Sequence, residues 1–117
     1  MPVRLESEVE KEVCRWAKFR RILPVKFTPM GEAGWPDRVF LYAGRVAFIE
    51  FKQEGKKARP LQQHRIDTLR VMGFMVEVHD NVDSAIAFLD AVFFSRDGSQ
   101  IGDFPSLFGA PTPPGGG

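Results

Sequence analysis

A chain of 117 residues with a formal net charge of +1 makes one modest domain, large enough for a real core but not for two. The single cysteine, Cys14, excludes an intrachain disulfide and fits a reducing, cytoplasmic setting. No apolar run is long enough to span a bilayer, and the acidic amino terminus is unlike a signal peptide, so no membrane role is expected. A near-neutral total argues weakly against a dedicated nucleic-acid binder, yet the charges are segregated. Arg15, Lys18, Arg20, Arg21 and Lys26 form an acid-free basic stretch. Lys52, Lys56, Lys57, Arg59, Arg65 and Arg70 form a second, and the carboxyl-terminal third is acidic.

In chain order, Leu5, Val9, Val13, Trp16 and Arg20 fall at helical spacing, predicting an amphipathic helix from about Leu5 to Leu23 that Pro24 ends. Ser7 and Glu10 have the spacing of a capping box; Glu10 also shares a stripe with Val13 and Ala17 and so fits an inward position. Val25 to Thr28 reads as a short strand, followed by a glycine-containing loop to Gly34.

Val39–Tyr42 and Arg45–Phe51 are rich in β-branched and aromatic residues on either side of Ala43-Gly44, which predicts a hairpin. A two-residue loop places Leu41 opposite Val46, Val39 opposite Phe48 and Asp37 opposite Glu50. Asp37, Val39 and Leu41 then share one face with Val46, Phe48, Glu50 and Lys52. Like charges paired across strands are destabilising unless something offsets them, and a hard divalent cation does so simply. Two plainer readings fit the same residues: Asp37 merely opens a strand after Pro36, and Glu50 pairs with Lys52 or with Arg38. A bulged three-residue loop would separate the acids altogether.

Gln53 to Arg59 is a polar, lysine-rich loop. Pro60 suits the first turn of a helix to about Met72 with Gly73 as its stop. Gln62, Ile66 and Leu69 lie on its core stripe, where the glutamine needs a partner: a backbone amide to cap, or a carboxylate or water to orient. His64 lies off the stripe and reads as a surface residue. Phe74–Val78 is a strand, and Asn81 can cap a helix from Val82 to about Phe94. The predicted organisation is a folded domain over residues 1–95 and a flexible Pro/Gly-rich tail over 96–117, with Phe104, Leu107 and Phe108 available to dock. The element order αβββαβα is an α/β arrangement: a small mixed sheet flanked by helices. Because Phe40, Tyr42, Ala47, Ile49 and Phe51 make the opposite face apolar too, both faces need covering, by helices or by a second copy.

With these residues in this order the chain resembles the PD-(D/E)XK nuclease superfamily, and within it the stand-alone, virus-type VRR-NUC domain. Pro36-Asp37 resembles the PD element, Glu50-Phe51-Lys52 the ExK element, Gln62 the glutamine of the following helix and Glu10 the acid of the first. The resemblance implies a restriction-endonuclease-like core and a metal-dependent endodeoxyribonuclease. In that reading Asp37, Glu50, the Phe51 carbonyl and Glu10 hold Mg2+ or Mn2+. Lys52 stabilises charge on the phosphate, and Gln62 orients the nucleophile or Lys52. Lys56, Lys57, Arg59, Arg65, Arg20 and Arg21 hold the DNA backbone. It further implies a homodimeric Holliday-junction resolvase, suited to a phage or prophage. A nuclease for flapped or other branched DNA in repair, and a non-catalytic DNA-binding module of the same fold, are the alternatives.

Overall fold

A hairpin whose turn residues both take left-handed backbone angles has the right-handed twist that its strands require. Ala43 (φ 51°) and Gly44 (φ 80°) provide that turn between β2, Arg38–Tyr42, and β3, Arg45–Phe51. The two strands are antiparallel, with Leu41 opposite Val46 and Val39 opposite Phe48, as the two-residue loop predicts. The computed structural model describes residues 4–95, so the expected tail over 96–117, and the docking of Phe104, Leu107 and Phe108, lie outside the described residues.

The remaining strands extend the hairpin on both sides. β1, Leu23–Lys26, pairs antiparallel with β2. β4, Met75–His79, runs parallel to β3 after a crossover through α2, Pro60–Val71. The sheet order is β1-β2-β3-β4, a small mixed sheet in an α/β fold. α1, Glu6–Phe19, precedes the sheet and α3, Val82–Phe94, follows it, with Asn81 Oδ1 accepting the Ser84 amide at 2.8 Å as its cap. None of the helices among the described residues is long and apolar enough to cross a membrane.

The first helix departs from expectation. It stops at Phe19, four residues short of Leu23, and Pro24 is not its terminator. Arg21 takes a left-handed conformation (φ 70°), its amide donates to Lys18 O, and the Ile22 amide reaches back to Ala17 O at 2.8 Å. That is a Schellman closure, sealed by the buried Ile22. A non-glycine residue in that position leaves no signature in the sequence. Pro24 instead sits in edge strand β1, where a missing amide is tolerated. At the other end the cap uses Glu8, whose carboxylate accepts the Leu5 amide at 3.1 Å, rather than Ser7 and Glu10.

Two apolar layers result. Phe40, Ala47, Ile49 and Phe51 are fully buried beneath α1 and α3, together with Val9, Val13, Ala17 and Leu89. This face is therefore filled by the chain's own helices and cannot receive a second copy. Arg45 donates to Phe93 O at 3.0 Å and so satisfies the carboxyl end of α3. The opposite face carries a smaller cluster, Phe48, Ile66, Leu69 and Val76, covered by α2 and edged by Phe27 and Trp35. His79 pins α3 to β4: one ring nitrogen lies 2.8 Å from Ser84 Oγ and the other 2.7 Å from Glu77 Oε1.

Candidate active site

Asp37 sits immediately before β2, and its carbonyl accepts the Phe27 amide at 2.9 Å. Carrying the β2–β3 register one residue beyond the Arg38–Ile49 pair puts it opposite Glu50. The side chain confirms the approach, because Asp37 Oδ2 accepts the Phe51 amide at 3.0 Å. Glu50 projects on the same side as Phe48, into the layer beneath α2, and is only 3% exposed. Its Oε2 accepts from Gln62 Nε2 at 2.8 Å and lies 3.7 Å from Lys52 Nζ.

Gln62 occupies the third position of α2 after Pro60. Both roles open to it are realised at once: Oε1 accepts the Arg59 amide at 2.9 Å, and Nε2 donates to Glu50. One amide side chain thus caps a helix and orients a carboxylate. The loop before Asp37 approaches α2 closely at Gly34 (φ +89°), where a Cβ would lie 2.7 Å from Leu61 Cγ. Only glycine fits both the angle and the space.

Burying two acids side by side has an electrostatic consequence. Burial, then the neighbouring Asp37, pushes the Glu50 carboxyl up to about 7, against the opposing pull of Lys52. Asp37 is also raised, by burial first, with the Phe51 amide opposing and the Glu10 and Glu6 charges adding. Moreover, Glu50 Oε1 is buried with no hydrogen-bond partner among the described residues. A solvent-free, unsatisfied carboxylate oxygen beside a second acid is what a hard divalent cation would satisfy, so Asp37 and Glu50 fit such an ion. Among the described residues no group of three or more His, Cys, Asp or Glu side chains converges as a metal cage. A bound ion would need further donors, and the Phe51 carbonyl follows Glu50 directly in the chain.

Asp37, Glu50, Lys52 and Gln62 are thus brought together. Glu10 is not brought in as a third free carboxylate: its Oε2 is shared between Arg38 Nε at 2.5 Å and Lys26 Nζ at 3.7 Å. Glu6 was missed. It lies one helical turn before Glu10, and its charge raises both Asp37 and Glu50. An acid in a first helical turn otherwise reads as a dipole partner, which hides this proximity.

The expected DNA contacts divide. Lys56, Lys57 and Arg59 are exposed on the loop leading into α2, and none forms an ion pair among the described residues. Arg65 is spent on the loop before Asp37, donating to Ala33 O at 3.0 Å and stacking 4.6 Å from the Trp35 ring centroid. Arg20 lies over the Trp16 and Phe94 rings, at 5.3 and 4.2 Å, and 3.5 Å from Asp90. Arg21 makes the turn after α1.

No family model matches the sequence, and no curated protein does. Solved structures do. One described as a VRR_NUC domain protein superposes with a TM-score of 0.66 at 26% identity, covering 78% of this chain and 89% of that one. A second, described as a VRR_NUC domain, gives 0.69 at 24% identity over 75% of this chain and 97% of the other, and speaks to the fold alone. With this fold, and with acids, lysine and glutamine gathered at one end of the hairpin, the chain has the VRR-NUC fold, and its structural similarity supports a nuclease-type domain.

Proposed function

We propose that the chain is a Mg2+- or Mn2+-dependent endodeoxyribonuclease in which Asp37, Glu50 and the Phe51 carbonyl hold the cation. The observation that carries this reading is the orphaned, buried Glu50 Oε1 beside Asp37. When bound, the ion would polarise a phosphate oxygen and lower the pKa of water. The chain's own residues supply the rest. Gln62, fixed at its far end by the Arg59 amide, holds Glu50 Oε2 and leaves Oε1 as the open acceptor. Lys52, whose side chain is 9% exposed, presents an ammonium to the negative charge that builds on the phosphate oxygens during hydrolysis. Lys56, Lys57 and Arg59 stand at the entrance to α2 to hold the DNA backbone.

The substrate we propose is branched DNA, the four-way junction first, cut by a homodimer in the cytoplasm of a bacterial or phage-infected cell. A junction offers two symmetry-related strands, which suits a two-fold pair of sites. The face covered by α1 and α3 is closed to a partner, but Leu23, Val25 and Leu41 are 57%, 37% and 36% exposed on the neighbouring strands β1 and β2. An apolar row of this kind supports association. The test compares a four-way junction, a 5′ flap, a nicked duplex and a linear duplex in Mg2+ and in Mn2+. Paired cuts in the junction are expected. Cutting confined to the flap would redirect the proposal to repair of flapped DNA, and binding without cutting in either metal would make the domain a non-catalytic module.

A further inference from the structure

A groove of about 410 Å3 runs between α1 and the edge of the sheet on the side away from α2, lined by Lys11, Arg15, Lys18, Lys26 and Arg38, with Glu10 as its one acid and Cys14 at its floor. Sequence order alone pointed to a basic stretch but not to this assembly, and two of the arginines in that stretch, Arg20 and Arg21, do not take part. Lys11, Arg15 and Lys18 form one stripe along α1, are exposed, and make no ion pair among the described residues. Lys11 and Arg15 stand at i, i+4, a spacing at which like charges are destabilising. Across the groove, Lys26 and Arg38 face each other directly on neighbouring strands, which is also unfavourable. Glu10 offsets only part of this, its single Oε2 serving both. Two separately unfavourable rows of cations, on two elements, therefore face one another across a trough.

The trough abuts the candidate active site. Arg38 follows Asp37 in the chain, and the charges of Lys26 and Glu10 both act on the Asp37 carboxyl. We infer that this groove is a seat for the sugar–phosphate backbone of duplex DNA, delivering one arm of the substrate to Asp37 from the side opposite α2. At 1.5 Å per residue the Lys11–Lys18 stripe covers about 10 Å, enough for about three phosphates of one strand. Its exposed cations, two lysines and an arginine on one helix face, suit phosphate oxygens, and the groove is assigned to position the duplex rather than to read its sequence. Arg38, held by Glu10 at 2.5 Å and with its side chain 21% exposed against 64% for Lys26, is the more fixed of the two strand cations.

This inference rests on the nuclease reading, and its test separates the two. A Lys11→Ala/Arg15→Ala/Lys18→Ala variant and the unaltered chain are titrated with fluorescent four-way junction and linear duplex in EDTA, from 50 to 200 mM salt, with thermal melts to verify folding. Each phosphate contact contributes about −0.9 to the slope of log K against log salt. Loss of three contacts is expected to make the slope shallower by about 2 to 3 and to weaken binding about tenfold or more at the low-salt end. A folded variant with unchanged affinity and slope, beside an unaltered chain that binds in EDTA and cuts the same DNAs in a parallel incubation with Mg2+, overturns the groove assignment and leaves the nuclease reading standing. If the unaltered chain neither binds these DNAs in EDTA nor cuts them in Mg2+, the nuclease reading falls and the groove assignment with it.

Discussion

Glu50→Gln is expected to reduce metal-dependent cleavage about a thousandfold while making the ion-free protein more stable at pH 8, by about 1–3 kcal/mol. The two effects have one cause. The ionised carboxylate is buried beside Asp37 with one oxygen unsatisfied, so above its pKa it is a cost to the fold. Glutamine keeps the shape and can still accept from Gln62, but it removes the repulsion along with the donor a cation needs. Multiple-turnover cleavage in Mg2+ and urea melts in EDTA measure the pair. Retained cutting contradicts the assigned role. A variant that is less stable than the unaltered chain at pH 8 would mean that the carboxylate is already compensated by Lys52 and Gln62.

Second, the ion-free protein is expected to lose stability as pH rises from about 4.5 to about 7. The folded chain keeps its proton on Glu50 up to about 7, whereas an ordinary glutamate releases it near 4.5. Between those values the folded state binds more protons than the unfolded one, so unfolding free energy falls with rising pH and levels off above about 7. At about 1.4 kcal/mol per pH unit, that interval corresponds to on the order of 3 kcal/mol, to which the raised Asp37 adds in the same direction. Asp80, held below its ordinary range by the Gly55 amide, acts oppositely and only at acid pH. Melts in EDTA from pH 4.5 to 8.5 are expected to show the decline in the unaltered chain and a flatter profile in Glu50→Gln. A profile that rises to pH 8 in the unaltered chain would contradict the burial of an uncompensated acid pair.

The register of the hairpin was legible because strand side chains alternate with a strict period of two. A two-residue turn at Ala43-Gly44 leaves no freedom in which residues oppose. From that alone Asp37 met Glu50, and the stripe on α2 added Gln62. What stayed hidden was long-range or unsigned. Arg21 adopts a left-handed angle without being glycine, so the end of α1 had no marker. Charge counting shows which residues are basic, not where their charge is used. Arg20 and Arg65 are engaged by aromatic rings, Asp90 and a carbonyl, whereas Lys11, absent from the basic stretch read in the sequence, is exposed in the groove with Arg15 and forms no ion pair among the described residues. Glu10 looked inward on its stripe, as it is, but its partner Arg38 lies 28 residues away and no spacing rule could name it.

Calorimetric titration of Mn2+ into the ion-free protein at pH 8 tests most directly whether the two acids form a cation site. The unaltered chain is expected to bind the ion saturably, and Asp37→Asn and Glu50→Gln each to weaken that binding by at least about tenfold, one lost carboxylate ligand apiece. No uptake by the unaltered chain, or equal uptake by all three proteins, would contradict it.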